Sequence, residues 1–210
     1  MKTNRVARGF DLLAPVYELL LCLTVGKSVR KAQLPFLHVI KPEDKVLLFG
    51  GGTGWILPFI ESHNPESIVY LDLSSKMLKK ARKNALGGNV EFRNGSYKDI
   101  IGQKFDVIIT PFVLDCFTEE ELNLLIGIFH ESLNDKGRFL FSDFSTSNSF
   151  INSAFIWILN LSSNIICGTV NWRLPDFFEA FKKNDFDLIE RTCFNNGLTQ
   201  SVLFVKKRCN

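Results

Sequence analysis

A run of glycines and a later aspartate are the residues of this sequence whose types and spacing most clearly suit binding chemistry. Gly50, Gly51, Gly52 and Gly54 follow one short apolar run, and Asp72 ends the next. Glycine permits positive φ angles and lets a ligand approach the backbone with no Cβ in the way. An acid at the tip of the following strand accepts hydrogen bonds from the hydroxyls of a ribose. Together they predict an adenosine site, and a ligand-free turn beside a surface aspartate is the alternative.

The residue after the last of these glycines, Trp55, discriminates between adenosine ligands. A dinucleotide fingerprint that starts at Gly50 requires Gly or Ala at position 55, where a pyrophosphate docks against the helix. A phosphate-binding loop requires a glycine, a lysine and then Ser or Thr, whereas Gly54 precedes a tryptophan. The spacing Gly50-x-Gly52-x-Gly54 instead suits an adenosine ligand without a pyrophosphate, such as S-adenosylmethionine.

The elements that must position these residues alternate between strand and helix. The alternation predicts an α/β fold, a Rossmann-like doubly wound sheet that is mostly parallel, with right-handed crossovers. A capping box of Thr118 with Glu121 marks the start of a further helix. The predicted strands are 45–49, 67–71, 90–93, 105–109 and 138–142, the last entered by a turn over 134–137, and the predicted helices are 28–40, 53–62 and 74–84.

The C-terminal part predicts a helix and then an antiparallel hairpin. A helix with an apolar face of phenylalanines follows Pro175, and two strands, 186–193 and 199–205, flank Asn195-Asn196-Gly197. We therefore expect one domain over 1–210. Its parts are a helical cap (1–44, with a helix over 10–23), a cofactor-binding core (45–143), a lid-like insertion (145–174), and the C-terminal helix and hairpin (175–210).

Composition excludes several functional classes. The 210 residues carry a net charge of only +3, which is too small to predict a nucleic-acid surface. The five cysteines are odd in number and form no CxxC pair, so we expect a reducing cytoplasm and no disulfide framework. The three histidines show no ligand spacing, which predicts no metal. Polar residues interrupt the apolar stretch 150–168, so no transmembrane segment is expected.

Several segments resemble the class I S-adenosylmethionine-dependent methyltransferase family. Residues 46–54 look like its first motif, and 70–82, with the pattern Asp-x-Ser-x-x-Met-Leu, are similar to its second-strand motif. Residues 90–96, 105–110 and 133–139 match its third, fourth and fifth strands. The resemblance implies S-adenosylmethionine as cofactor and methyl transfer to a small-molecule acceptor. The cofactor contacts that it implies are Tyr17, Gly50, Gly51, Gly52, Gly54, Asp72, Leu73, Met77, Gly95, Ser96, Tyr97 and Thr110.

Three places in the chain refine this resemblance. At the position of Leu48 many relatives have an acid that anchors the methionine amino group. At the position of Ser96 many have an acid that accepts a hydrogen bond from the adenine amine. Both departures favour an alternative, a protein that binds S-adenosylmethionine without turnover. Residues 9–18 resemble the subgroup that methylates carbon atoms of ubiquinone and menaquinone, in which a tyrosine, here Tyr17, closes over the donor. A rim or core position for Tyr17 is the other interpretation.

The chemistry requires little beyond positioning. Methyl transfer from a sulfonium is an in-line displacement, so a general base is optional. Asp115 after the fourth strand and Asp143 after the fifth are the candidate bases, and capping of a turn is the alternative for each. The Cys116 thiol is expected to be buried and inert.

The aromatic stretch 145–172 leaves the sheet edge where ligands bind, and predicts a lid over a lipophilic or aromatic acceptor. Completion of the core is the alternative interpretation of its apolar residues. An amphipathic module at a membrane surface is a third functional hypothesis, so peripheral membrane contact is retained as an expectation. The oligomeric state is left open.

Overall fold

A sheet with the strand order β3-β2-β1-β4-β5-β7-β6 forms the centre of the computed structural model, which describes residues 26–87, 89–145 and 174–207. Strands β1 to β4 are Lys45–Phe49, Ser67–Asp72, Val90–Asn94 and Phe105–Pro111, and β5 to β7 are Leu133–Phe144, Phe186–Phe194 and Thr199–Lys206. The first five strands pair in parallel, and β7 pairs antiparallel with both β5 and β6. This confirms the predicted doubly wound, mostly parallel sheet with an antiparallel C-terminal hairpin.

The α-helices of the described residues are α1 (Gly26–Ala32), α2 (Leu57–Glu61), α3 (Ser75–Ala81), α4 (Glu119–Ser132) and α5 (Phe177–Lys183). Short 3-10 helices lie at Leu37–Val39, Tyr97–Ile100 and Leu114–Cys116. The predicted capping box is confirmed, since the Thr118 hydroxyl accepts from the Glu121 amide and the Glu121 carboxylate accepts from the Thr118 amide. Both bonds satisfy amides that a helix leaves without intrahelical partners.

Three predicted helices are too long, and the one predicted over 74–84 ends at Ala81. The helix predicted over 28–40 ends at Ala32, because the residue before Pro35 is disfavoured in helical conformation and the chain turns there. The helix predicted over 53–62 is reduced to α2, because Gly54 has a φ of 79° and the residues before Leu57 form turns.

The turn predicted over 134–137 is contained within β5. The register with β4 moves from Phe105 opposite Leu133 to Val107 opposite Arg138, so extra residues loop out of β5. Lys136 has a φ of 62° at this point, which is consistent with a local bulge.

The central strands β1, β2 and β4 are buried on both faces, as is usual when helices cover a parallel sheet, whereas the edge strands β3 and β6 are more exposed. Along β1, Leu47 and Phe49 face the side covered by α4 and α5, and Val46 and Leu48 face the opposite side. Phenylalanines dominate the α4/α5 side, where the rings of Phe181 and Phe204 stack at 4.0 Å. The carboxyl ends of the parallel strands β1 to β5 lie at one edge of this core.

Some expectations lie outside the described residues. The helix over 10–23, Tyr17 and residues 146–173 of the expected insertion are among them, so the domain division stays a prediction. The described flanks of the insertion lie at the same end of the sheet. Ser145 donates its amide to the Leu198 carbonyl oxygen, and Leu174 packs beside Phe144 and Leu198. In the described part of the chain, no helix is long and apolar enough to span a bilayer.

Candidate functional site

The glycine turn after β1 is shaped by three positive φ angles, 68° at Gly50, 59° at Gly52 and 79° at Gly54. Close packing restricts most of the turn. A Cβ at Gly50 would lie 2.5 Å from the Val113 side chain, one at Gly51 would lie 2.6 Å from the Tyr70 hydroxyl, and one at Gly54 would lie 2.8 Å from the Ala81 Cα atom. Glycine is therefore required at these three positions by the protein's own packing.

Gly52 differs from its neighbours because, among the described residues, no atom lies above its open side. A Cβ there would meet no described atom within 4 Å. The combination of a positive φ and empty space above the backbone is what a ligand that touches the main chain requires. Gly52 is thus the position in this turn where a cofactor can approach.

Strand β2 holds the Gly52 residue at both its amide and its carbonyl. The Tyr70 hydroxyl donates to the Gly52 carbonyl oxygen at 2.9 Å, and the Gly52 amide donates to Asp72 Oδ2 at 3.1 Å. The Ser74 amide donates to Asp72 Oδ1 at 2.8 Å. Asp72 is half-buried, so a ligand at the turn can reach its carboxylate while that carboxylate supports the turn.

Tyr70 has a role that the sequence analysis missed. Its side chain is fully buried, and burial, with a smaller contribution from the Asp72 charge, raises the pKa of its hydroxyl well above the usual range. The hydroxyl therefore stays a donor at any physiological pH. A tyrosine inside an otherwise apolar buried strand was the available signal, since a buried hydroxyl usually has a hydrogen-bond partner.

The end of β3 brings a second carboxylate to the site. The Ser96 amide donates to Asp99 Oδ2 at 2.7 Å, and the Ser96 hydroxyl accepts from the Lys98 amide at 3.3 Å. A Cβ at Gly95 would lie 2.5 Å from Asp99 Oδ2. The hydroxyl of Ser96 is therefore engaged in a local cap, and Asp99, which the sequence analysis did not single out, lies directly beside Gly95.

Leu73, Met77 and Tyr97, which were also expected to contact the cofactor, follow β2 and β3 in the chain and lie near the carboxyl ends of these strands. Leu73 is half-buried and its carbonyl accepts from the Asn94 side chain at 2.9 Å, and Met77 is buried one helical turn later. Tyr97 is half-buried against the α4/α5 side of the core. Leu48 is fully buried, so the β1 position where many relatives have an acid contributes no polar group.

Trp55 lies on the outer side of the glycine turn. Its ring is 4.9 Å from that of Phe59, and the Arg30 guanidinium of α1 lies 5.1 Å from its centroid. This arrangement packs α1 against the turn through a cation–π contact.

The carboxyl ends of β4 and β5 carry an acid pair. Asp143 is fully buried, and its carboxylate accepts the amides of Leu114 and Asp115 at 3.2 Å and of Phe144 at 2.8 Å. Burial, and then the nearby Asp115 charge, raise the pKa of Asp143 well above its usual value. Asp115 is half-buried, and burial raises its pKa to about 6. Asp143 therefore does support the turn that carries Asp115, as the capping interpretation expected.

Two buried polar atoms lie on the same sheet face as the acid pair. Thr110 Oγ1 and Gln200 Oε1 have no hydrogen-bond partner among the residues that the structure describes. Thr110 was an expected cofactor contact, but Gln200 was not singled out, because only the β5–β7 register places it opposite Asp143. Cys116 is half-buried, not buried as expected, with its Sγ donating to Asp115 Oδ1 at 3.5 Å. No group of potential metal ligands is found within 26–87, 89–145 and 174–207.

Comparison with known proteins agrees with this geometry. Residues 46–137 match a family model described as a methyltransferase domain. Carboxy-S-adenosyl-L-methionine synthase of Wolinella succinogenes is 31% identical over 150 residues, which cover 67% of this chain and 59% of that protein. The match thus spans less than two thirds of that relative's length.

Solved structures show the same fold at low identity. An S-adenosylmethionine-dependent methyltransferase from Mesorhizobium loti has a TM-score of 0.66 at 16% identity, with 86% of this chain and 96% of the other covered. The 1,6-didemethyltoxoflavin-N1-methyltransferase of Burkholderia thailandensis, solved with 1,6-didemethyltoxoflavin and S-adenosylhomocysteine, has a TM-score of 0.70 at 16% identity, with 97% and 88% covered. At 16% identity, these likenesses establish a shared fold and nothing more.

Proposed function

This chain carries a class I S-adenosylmethionine-dependent methyltransferase domain, and from that premise we propose that the protein methylates a small lipophilic or aromatic acceptor. The cofactor of such a domain is S-adenosylmethionine. The observation that carries the proposal is the Gly52 turn, which is open above its backbone and is held in place by Asp72.

The residues present at the site fit this cofactor. Gly52 offers backbone approach, Asp72 offers acceptor positions to a ribose, and Thr110 offers a buried hydroxyl with no described partner. Asp99 brings a carboxylate to the end of β3, where the resemblance would have an acid at Ser96 for the adenine amine. When bound, S-adenosylmethionine supplies a methyl group on a positively charged sulfur.

Asp115 and Asp143 are placed to bind the acceptor or to remove a proton from it. With a pKa of about 6, Asp115 is largely ionised at neutral pH and is a competent base for an acceptor that must lose a proton. Asp143 supports Asp115 through the Asp115 amide. Positioning of the acceptor near the methyl group supplies the rest of the acceleration.

A lipophilic acceptor is favoured by the apolar residues at this edge. The rings of Phe112, which is half-buried, and of Phe144 contact each other at 5.2 Å, and the buried Val29 and Leu198 complete this apolar cluster. The aromatic residues of 150–172 would extend the cluster towards an acceptor in the lid hypothesis. Membership of the quinone-methylating subgroup rests on residues 9–18 and stays a prediction.

A second candidate function is modification of S-adenosylmethionine itself. The relative that is 31% identical is a synthase whose product is carboxy-S-adenosyl-L-methionine. Binding without turnover, which Leu48 and Ser96 favour, is a third. The cytoplasmic location, the absence of nucleic-acid binding and peripheral membrane contact stay predictions.

One experiment separates these functions. The protein is incubated with S-adenosylmethionine and a panel of aromatic and lipophilic acceptors, and all products are weighed by mass spectrometry. Release of S-adenosylhomocysteine with a methylated acceptor supports the proposal. A heavier form of S-adenosylmethionine supports the second candidate, and binding without any product supports the third.

A further inference from the structure

We propose that Asp115 and Asp143, together with the side-chain oxygen of Gln200, bind a protonated amine or another N–H group of the acceptor. The inference rests on the proposed function and specifies its substrate class, a lipophilic or aromatic compound with a nitrogen that carries hydrogen. It extends the role of the acid pair from possible proton transfer to recognition.

The register of the sheet brings Asp143 and Gln200 together, and Asp115 lies next to them because its amide donates to Asp143. Asp143 on β5 is directly opposite Gln200 on β7, and residues opposite each other in an antiparallel pair have Cβ atoms about 5 Å apart. Both side chains lie on the face that also carries Phe141 and Val202. The Gln200 Nε2 donates to the Phe144 carbonyl oxygen at 3.3 Å, which holds the amide group beside Asp143.

The cluster contains more acceptors than donors. The Gln200 side chain is 1% exposed, yet its Oε1 accepts no hydrogen bond from any described residue, and neither does the buried Thr110 Oγ1. A buried acceptor without a partner costs about 1–3 kcal/mol, so such atoms usually indicate a missing partner. The missing partner of Gln200 Oε1 must donate hydrogen, because an amide oxygen can only accept.

No positive charge of the described residues neutralises the acid pair. Burial is the main cause that raises the pKa of both carboxyls, and no lysine, arginine or histidine is among the groups that lower either pKa. Arg191 lies on the same side of the sheet, but its guanidinium donates to the Ser145 hydroxyl and covers the Phe178 ring. At neutral pH the charge of the pair is that of Asp115, whose pKa is about 6, and a bound ammonium would supply its counter-charge together with the absent donor.

The pair is close to where the methyl group would be presented. Val113, which precedes the turn that carries Asp115, packs against Gly50 so tightly that a Cβ there would clash at 2.5 Å. The 3-10 turn Leu114–Cys116 is held by Asp143, whose side chain accepts two of its backbone amides. An acceptor nitrogen held by the acids therefore lies beside the glycine turn of the cofactor site.

A divalent cation is the competing occupant, because carboxylates and amide oxygens also suit hard cations. Three amides already donate to Asp143, so only about one of its roughly four acceptor positions remains, which suits a single N–H donor better than the several oxygen ligands that Mg²⁺ requires. The experiment therefore includes Mg²⁺ as a separate probe.

The test compares 2-phenylethylamine with 2-phenylethanol, which differ only in the polar group. Each is titrated by calorimetry at pH 7.5 into protein saturated with S-adenosylhomocysteine. We expect the amine to bind roughly 10- to 100-fold more tightly than the alcohol. The preference should disappear in Asp115→Asn and decrease in Gln200→Met, whereas Asp187→Asn, which removes an exposed carboxylate on β6, should keep it.

Three results would overturn the inference. They are equal binding of amine and alcohol, no binding of the amine by protein that binds S-adenosylhomocysteine normally, and Mg²⁺ binding that is lost in Asp115→Asn. Failure of S-adenosylhomocysteine to bind would instead remove the proposed function and this inference with it. Asp143→Asn is not used, because it would disturb the turn that Asp143 supports. Thermal melting confirms that each of the other variants is folded.

Discussion

The Tyr70 hydroxyl donates a hydrogen bond to the Gly52 carbonyl oxygen across 2.9 Å, from the strand that follows the glycine turn in the chain. The same strand ends at Asp72, which accepts the Gly52 amide. One residue of the turn is thus held at its amide and its carbonyl by two side chains of β2. The open side of Gly52 is fixed in place before any ligand binds, and such preorganisation reduces the cost of binding.

Removal of the Tyr70 hydroxyl should weaken cofactor binding without unfolding the protein. Tyr70→Phe keeps the ring and deletes one hydrogen bond worth about 0.5–1.5 kcal/mol, so we expect roughly a 2- to 10-fold loss in affinity for S-adenosylhomocysteine. Asn89→Ala is the matched control, because it deletes a side-chain bond of the same length to the Pro65 carbonyl oxygen. An unchanged affinity in Tyr70→Phe would show that the bond serves stability alone.

Gly52→Val should abolish cofactor binding in a folded protein. The substitution places a branched side chain in the open space and strains a φ of 59°. Gly102 is the matched control, because its φ is 81° and a Cβ there also meets nothing within 4 Å. We expect Gly52→Val and Gly102→Val to lose similar stability, on the order of 1–2 kcal/mol, and only the first to lose binding by calorimetry. Normal binding by Gly52→Val would make the turn purely structural.

Gly54→Ala should destabilise the fold more than Gly102→Ala does. Both substitutions strain a positive φ, but only at Gly54 does the new Cβ lie 2.8 Å from a backbone atom, the Ala81 Cα. Helix α3 would have to move, which costs about 1–3 kcal/mol beyond the φ strain. Urea unfolding of both variants measures the difference, and equal stabilities would contradict the close packing of α3 against the turn.

The sequence predicted strand positions well because their determinants are local. Strands β1 and β2 are apolar runs bounded by glycine, proline and charged residues. The predicted bounds of β1 agree with the structure, and those of β2 differ by one residue. Helix ends were less accurate, since the positive φ of Gly54 and the turn before Pro35 depend on how the chain packs. The hairpin turn was accurate because Asn195, Asn196 and Gly197 all tolerate the positive φ that they adopt.

Much of the site could not be predicted from the sequence, because it depends on contacts between distant residues. Asp72 and the glycines were identifiable by motif, but the role of Tyr70 requires β2 to lie beside the turn. Gln200 is far from Asp143 in sequence and meets it only through antiparallel pairing. Asp99 is close in sequence to Ser96, yet only the capped 3-10 helix brings its carboxylate beside Gly95.

The acid pair should make the protein less stable as pH rises from about 4 to about 6. Asp115 has a raised pKa of about 6 in the folded state and 3.8 as its ordinary value, so the folded protein binds more protons between those values. The stability that this uptake contributes is present below the ordinary value and is lost as pH rises through the folded value. Asp143, with a raised pKa of its own, adds to the same trend.

Urea unfolding of the wild type and of Asp115→Asn across this pH range measures the effect. The variant cannot ionise at position 115, so its stability should fall less between pH 4 and pH 7, and it should exceed the wild type most clearly above pH 6. Asp187→Asn, an exposed change of the same charge, should follow the wild-type curve. Parallel curves for wild type and Asp115→Asn would contradict the raised pKa of Asp115.

The central claim is that the Gly52 turn and Asp72 form a binding site for S-adenosylmethionine, and calorimetric titration tests it most directly. S-adenosylmethionine and S-adenosylhomocysteine are each titrated into the wild type and into Asp72→Ala, with the fold checked by thermal melting. Both ligands should bind the wild type, and Asp72→Ala should lose charge-assisted bonds worth about 1.5–3 kcal/mol, or roughly 10- to 100-fold in affinity. No binding at millimolar ligand, or equal affinity in a folded Asp72→Ala, would contradict the claim.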